Sequence, residues 1–438
     1  MSEPTPSTPP AASHFLICIA GPDQGKRLEV TTAPLLIGRG AECNLLSDDP
    51  AVTERFAMLR RDGNRLHVQA LSDTLPYTDG HPVTETYLTG GQQLRLGRSL
   101  WQLQAPGTPP SVLGFVNRLG DHLSTVAGIE KPGEWNAREM FADVGKHHAD
   151  DEVEAYFTVG TAATTPPLAA IDARWPKPWV FVRVFFVTLA LYVGFVVAWN
   201  NFENENLIPG LIMIGSVAIP LSLLIFFLEV NVPRNISLYQ VVKLLLIGGL
   251  VSIVVSLIFF QVTNLSNLLG AAGAGIIEES GKALTLLLVV RRARFRWTLN
   301  GLLLGATVGT GFAVFESAGY ALRAGLDAGS VAMLDTIMQR GFLSVLGGHV
   351  LWTGLVGAAL WRVRGDQPFR SGMLTDPRFL RVLGVCMAMH MIWNYDGLQL
   401  PLFGKYVILG GAAWLLVLGM IQDGLKQVRT AQGIAAPA

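Results

Sequence analysis

Eight apolar stretches fill the second half of the chain, near 179–199, 208–230, 238–261, 265–290, 298–322, 341–362, 379–396 and 404–422. Each is long enough to cross about 30 Å of hydrocarbon at about 1.5 Å per helical residue, and together they read as eight transmembrane helices. Composition agrees: of 438 residues, 50% are hydrophobic and only 15% charged, with a mean hydropathy of +0.40, outside the usual soluble range. Basic residues fall on alternate connections: Arg234 and Lys243, the cluster Arg291, Arg292, Arg294 and Arg296, then Arg362, Arg364, Arg370, Arg378 and Arg381, then Lys426 and Arg429. The bias of such residues toward the cytoplasm places those connections, and both termini, inside. The opposite connections carry Glu203 and Glu205, no charge over 261–267, and only Arg323, Arg340 and Lys405 later. A multi-pass protein of a bacterial inner membrane is expected, in contact with lipid. The formal net charge of +0 gives no bulk attraction to nucleic acid.

The first half differs. Residues 1–13 are Pro-, Ser- and Thr-rich, with no apolar core of a cleavable signal peptide. Over 14–105, short runs such as Phe15–Ala20, Leu35–Ile37, Arg65–Val68 and Leu94–Leu96 are separated by Gly, Asp and Pro, the pattern of an all-β sandwich. Residues 106–177 read as a linker opened by Pro-rich sequence, with one or two short helices over Asn136–Phe157, and 426–438 as a C-terminal tail. His147 and His148 lie in this polar stretch and are expected to be solvated; Trp175, Trp179 and Trp199 are expected as interfacial anchors around the first span. Cys18, Cys43 and Cys386 are scattered and odd in number, which argues against a disulfide framework.

Ionisable side chains at membrane depth are costly and therefore informative, at about 2.5–3.5 kcal/mol each on insertion scales. The fourth span carries Glu278, Glu279 and Lys282, the fifth Glu316, the sixth His349 and the seventh His390 and Asn394. Glu278 and Lys282 share a helix face, as do His390 and Asn394, whereas Glu279 points about 100° away from Glu278. Lys282 is placed to hold Glu278 in its charged form. Three carboxylates in one low-dielectric pocket cannot all ionise freely, so such a site both takes and gives protons. Peptide hydrolysis needs that: a base for water, donors for the oxyanion and an acid for the leaving amine. A buried packing network, a non-catalytic receptor and a proton-coupled carrier remain rival readings, although no paired repeat of a carrier is visible.

Glu278-Glu279-x-x-Lys282, Phe312-x-x-x-Glu316, His349 within Gly-Gly-His-Val-Leu-Trp-Thr-Gly, and His390-x-x-x-Asn394 resemble the PrsW-type intramembrane proteases, themselves similar to CAAX prenyl endopeptidases. The resemblance covers 178–425. It implies an endopeptidase that cleaves a membrane protein, of the anti-sigma-factor kind, with Glu278 as general base, Glu279 and Glu316 as polar partners, and His349, His390 and Asn394 orienting water and stabilising the oxyanion. No HExxH is present; catalysis without a cofactor is expected, with zinc on the Glu/His set as the alternative. The front region also resembles a known family. Gly21 to Gly25, Leu36-Ile-Gly-Arg39, Asp48-Asp49, Asp79-Gly80 and Leu88-x-Gly-Gly-x-x-Leu-x-Leu-Gly97 are similar to the forkhead-associated (FHA) domain, a β-sandwich that binds phosphothreonine proteins. The resemblance implies Arg39 and Thr53 as phosphopeptide contacts. Glu54 and Phe56 depart from the family pattern, which keeps a general protein-interaction role open.

Overall fold

The computed structural model describes residues 14–63, 65–78, 80–104, 112–130, 136–149, 151–152, 157–398 and 400–433. The expected tail at 1–13, Asp79 of the front-domain motif and the linker's opening at 105–111 lie outside the described residues. The chain divides into two compact units, up to Phe115 and from Val116 onward.

The front unit is a sandwich of strands β1 (His14–Ala20), β2 (Arg27–Val30), β3 (Leu35–Gly38), β4 (Leu45–Leu46), β5 (Ala57–Asp62), β6 (Arg65–Ala70), β7 (Tyr77–Thr78), β8 (His81–Pro82), β9 (Glu85–Leu88), β10 (Gln93–Leu96) and β11 (Ser99–Gln104). One sheet runs β2-β1-β11-β10-β7-β8 and the other β4-β3-β5-β6-β9. Period-two alternation sends Leu16 and Cys18 of β1 and Trp101 and Leu103 of β11 inward. The two strands pair antiparallel with Cys18 opposite Trp101. Ile37, Leu59, Leu66, Val68 and Leu94 close the core from both sheets. Phe56 joins them, fully buried, so the position that departs from the FHA pattern serves packing. Buried Asp23 ties three loops together: it accepts from Ser47 Oγ at 2.5 Å, the Asp48 amide at 2.7 Å, Lys26 Nζ at 2.9 Å and Ser99 Oγ at 3.2 Å.

The helices are α1 (Val112–Ala127), α2 (Ala137–Met140), α3 (Val180–Phe202), α4 (Ile208–Val230), α5 (Leu238–Val262), α6 (Leu265–Leu269), α7 (Gly273–Thr285), α8 (Leu287–Val290), α9 (Thr298–Ser344), α10 (Gly348–Arg364), α11 (Pro377–Asn394) and α12 (Gly404–Gln432). Among the described residues, five segments are long and apolar enough to cross a membrane: α3, Glu205–Val230, α5, Thr298–Gly341 and α12. The three remaining expected spans, at 265–290, 341–362 and 379–396, fall on the shorter helices that carry most of the ionisable groups. The span expected at 265–290 is broken, with α6 separated from α7 at Gly270, whose φ is +57°. Ala127, Ile129 and Met140, from the stretch expected to be a linker, belong to the same core as α4, α9, α10 and α12.

A connection expected around 323–340 is helical instead. Its Ala, Leu, Met and Gln residues favour helix, and Gly329 alone makes the bend, with φ +84° and ψ 179°. A straight α9 would run for about 70 Å at 1.5 Å per residue. The bend folds it into a hairpin, so that Glu316 on the outgoing arm and Arg340 on the return arm touch.

The tertiary structure also corrects two local expectations. His148 is not solvated: its ring stacks on Trp179 with centroids 3.5 Å apart, and its Nδ1 lies 2.7 Å from Glu152. Trp179 is only 4% exposed, so it is a packing residue rather than an interfacial anchor. Glu229, buried at the end of α4, accepts the amides of Trp179, Val180 and Phe181 at 2.8–2.9 Å. It satisfies the orphan donors that start α3.

Candidate active site

Four helices converge on a cavity of about 890 Å³ whose wall includes Glu278, Glu316, His349, His390 and Asn394. Two close approaches set the spacing. A Cβ on Gly309 would lie 2.3 Å from the carbonyl oxygen of His349, and one on Gly275 would lie 2.7 Å from the amide nitrogen of Met391. Bare backbone at these points lets α9 reach α10 and lets α7 reach α11, which brings the glutamates within range of the imidazoles. Asp376 begins α11 by accepting the Arg378 amide at 2.8 Å, with Pro377 at the first helical position.

Adjacent glutamates take different surroundings because successive helical residues diverge by about 100°. Glu279, fully buried, accepts Lys282 Nζ at 2.5 Å and bonds His390 Nδ1 at 2.9 Å through the same oxygen. Lys282 therefore pairs with Glu279, one helical turn away at i+3, and not with Glu278 as the i+4 spacing implied. Its ammonium also lies 2.9 Å from His349 Nδ1 and 4.5 Å from the centre of the Phe312 ring. His349 Nε2 is 3.0 Å from Glu316 Oε2. Glu278 is only 6% exposed, and its Oε2 has no hydrogen-bond partner among the described residues. That oxygen faces His349 Nδ1 at 3.9 Å and His390 Nε2 at 3.8 Å.

These contacts determine what each ring presents. With Nδ1–H donated to the Glu279 carboxylate, a neutral His390 turns the lone pair of Nε2 toward Glu278; with Nε2–H donated to Glu316, a neutral His349 accepts from the Lys282 ammonium at Nδ1, with Glu278 Oε2 beyond at 3.9 Å. Ligand atoms of Glu278, His349 and His390 lie within 4.8 Å of one another. Lys282 serves the His349 acceptor, whereas Glu278 Oε2 and His390 Nε2, 3.8 Å apart in the same buried pocket, require a proton or a cation between them. Each imidazole is backed by a carboxylate on its other nitrogen, the arrangement that orients metal-ligating histidines.

Asn394 stands apart from this cluster. It is half-buried on the cavity wall, with its Nδ2 3.5 Å from the Ala271 carbonyl. Sequence reasoning missed Trp352, whose ring stacks on His390 at 4.6 Å and meets His349 edge-on at 5.7 Å. Its three-residue spacing from His349 was the available signal. It also missed Arg340, which bonds Glu316 across 24 residues of sequence that only the hairpin closes.

The PrsW family of intramembrane metalloproteases matches residues 237–421, a segment that holds the whole Glu/His cluster. This segment is a PrsW-family protease domain. In the front unit, residues 18–107 match the cytoplasmic domain of an inner-membrane component of type III secretion systems. An oxoglutarate dehydrogenase inhibitor of Corynebacterium diphtheriae is 30% identical over 92 residues, which are 21% of this chain and 64% of that protein. The chain thus spans less than two thirds of that relative's length. A structure from a study of phosphothreonine-dependent FHA domain interactions is 26% identical, covering 22% of this chain and 99% of that one, with a TM-score of 0.21. The cytoplasmic domain of the sorting-platform protein PscD from P. aeruginosa is 16% identical, covering 22% of this chain and 83% of that one, also with a TM-score of 0.21. The PrsW-family domain is preceded in the chain by the two-sheet sandwich that holds the 18–107 match. In that sandwich the Arg39 amide donates to the Thr53 carbonyl at 3.0 Å, which brings the two residues together, and both are exposed.

Proposed function

We propose that the helical unit hydrolyses a peptide bond of a membrane protein, with Glu278 at the reacting centre. The observation that carries this is the buried, unpartnered Glu278 Oε2, aimed between two imidazoles on the wall of a cavity large enough for an extended segment of chain. Glu278 takes a proton from water as it attacks the scissile carbonyl and returns it to the departing amine. Lys282 is a fixed positive charge, which stabilises negative charge developing nearby. Glu279 and Glu316 hold the two imidazoles in place, and Asn394 offers an amide donor to the substrate backbone at the wall.

The family's metalloprotease description raises the question of a metal, and the residues fit one: two imidazole nitrogens and a carboxylate oxygen, one of them a buried orphan, are a donor set suited to a zinc-type ion. Glu278, His349 and His390 would hold it, and when bound it would supply Lewis acidity at the scissile carbonyl.

The cavity wall includes Ser266, Gly347, Asp396 and Tyr406, all near helix ends joined by the connections poor in basic residues. The arginine-rich connections lie at the opposite ends. By the positive-inside bias the cavity opens away from the cytoplasm, and a single-span regulator of the anti-sigma-factor type is a substrate that presents a bond there. The FHA-like unit, on the cytoplasmic side, recruits a phosphothreonine protein or another protein partner through the surface around Arg39 and Thr53.

The test is cleavage of single-span model peptides, labelled with a fluorophore and a quencher, by the full chain in bilayers. Glu278→Gln is expected to keep its thermal melt and lose cleavage by about 100-fold or more, the usual range of general acid–base contributions. Wild-type cleavage by that variant would remove Glu278 from the chemistry. If a chelator abolishes activity and zinc restores it, Glu278 is reassigned from base to ligand.

A further inference from the structure

We infer that Arg340 is a positioning residue, which holds the Glu316 carboxylate so that His349 keeps Nε2–H on Glu316 and its Nδ1 lone pair on Lys282 beside Glu278; this rests on the proteolytic reading above. The guanidinium of Arg340 donates from Nη2 to Glu316 Oε2, the same oxygen that bonds His349 Nε2 at 3.0 Å. It is itself fixed by Nε to Ser317 Oγ at 3.3 Å and by stacking 4.2 Å from the centre of the Tyr320 ring. Glu316, Ser317 and Tyr320 present one patch of the outgoing hairpin arm, and Arg340 lies across it from the return arm.

Both partners of the pair border the cavity, with Arg340 and Glu316 side chains 29% and 18% exposed. A carboxylate at such a wall has room to rotate toward water in the cavity. The guanidinium removes that freedom by engaging the oxygen that orients His349. Without it, Glu316 is free to release Nε2–H, and the imidazole can exchange its tautomer or turn its ring. The centre then loses the imidazole acceptor that fixes the Lys282 ammonium beside Glu278. Arg340 and His349 are nine residues apart on one continuous segment through the Gly347–Gly348 turn, whose φ values are +139° and +53°. The return arm supplies Arg340 and the start of α10 that follows it supplies His349, so the hairpin bend at Gly329 is what delivers both groups that bond Glu316 Oε2.

Two readouts on the full chain in bilayers test this. In the cleavage assay with the same model peptides, Arg340→Gln is expected to lower kcat by about 10–100-fold, the effect of losing a supporting partner of a ligand or catalytic histidine, with KM little changed. Arg340→Lys should retain part of the rate. Added guanidinium ion should partly rescue Arg340→Ala, and Arg340→Gln should have no further effect in a Glu316→Gln background. Wild-type kcat in Arg340→Gln, a change confined to KM, or full additivity with Glu316→Gln would each overturn the assignment. The second readout does not depend on proteolysis: nitrogen-15 histidine NMR, with His349 assigned from His349→Gln. Its Nε2–H signature should be present in the wild type and altered alike by Arg340→Gln and Glu316→Gln. An unchanged His349 signal in Arg340→Gln overturns the inference. A folded wild type that cleaves nothing sinks the proteolytic reading instead, and the His349 spectrum still decides the role of Arg340.

Discussion

Single side chains divide the chemistry of this protein between two kinds of buried carboxylate. Glu279 and Glu316 are engaged by cations and imidazoles, whereas Glu278 Oε2 has no hydrogen-bond partner among the described residues. In the front unit Asp23 belongs to the first kind, and its environment has a consequence for stability. Burial opposes its charge, but the bonds from Ser47, Lys26 and the Asp48 amide outweigh burial and hold its carboxyl below the usual carboxylate range. A depressed folded-state value gives stability that is fully present above the unfolded value of about 3.9 and is lost as pH falls through the folded one. Hydrogen exchange of the full chain should therefore show protection of β1, β4 and β11 declining below about pH 4. Asp23→Asn should flatten that decline and destabilise the front unit at neutral pH by about 1–3 kcal/mol, the range for a charged hydrogen-bond partner. Equal protection in the variant and the wild type at neutral pH would remove Asp23 from the network.

At the level of elements, bare helix faces and one bend decide whether the site assembles. The contact of Gly309 with the His349 carbonyl leaves no room for a side chain, so Gly309→Val should push α9 from α10. The expected outcome is a loss of about 1–3 kcal/mol from overpacking, read as a lower melting temperature together with lost cleavage. Gly194→Ala on α3, where an added Cβ meets nothing within 4 Å, is the control. It should be neutral or slightly stabilising, since alanine is the better helix former by about 1 kcal/mol. Gly329→Ala should cost about 1–2 kcal/mol at its left-handed φ and weaken the Glu316–Arg340 contact. Unchanged melting in both Gly309→Val and Gly329→Ala would show that neither the close approach nor the bend is needed.

For the whole molecule, a sandwich core that shares no residue with the hydrophobic clusters of the helical unit predicts two separable unfolding events. The largest helical cluster joins α4, α9, α10 and α12 with Ala127, Ile129 and Met140. Calorimetry of the full chain in bilayers should resolve two transitions, and only the first should respond to Asp23→Asn. A single transition shifted as a whole by that substitution would mean that the units unfold together. Orientation is testable at the same scale. A cysteine at Asp396 should react with a membrane-impermeant maleimide added outside intact cells, whereas one at Arg294 should react only after permeabilisation. The reverse pattern would invert the proposed sidedness.

The sequence alone determined the membrane class, the short apolar runs that become strands β1, β3, β6 and β10, and the motifs that bring Glu278, Glu316, His349 and His390 to one site. These follow from local pattern, because the periods of helix and strand and the cost of charge in lipid act on every residue wherever it ends up. Tertiary structure decided the rest. The i+4 spacing pointed Lys282 at Glu278, but the neighbouring turn offers Glu279 equally well, and only the packing of α7 against α10 and α11 selects it. His148 looked solvated and Trp179 interfacial until the two stacked. The 323–340 stretch looked like a connection because its charge is mixed, yet one glycine bends it into a returning helix. Arg340 could not be found at all from spacing, since its partner is 24 residues away across that bend. Contacts between distant segments depend on how whole faces fit, and one-dimensional periodicity carries no record of that fit.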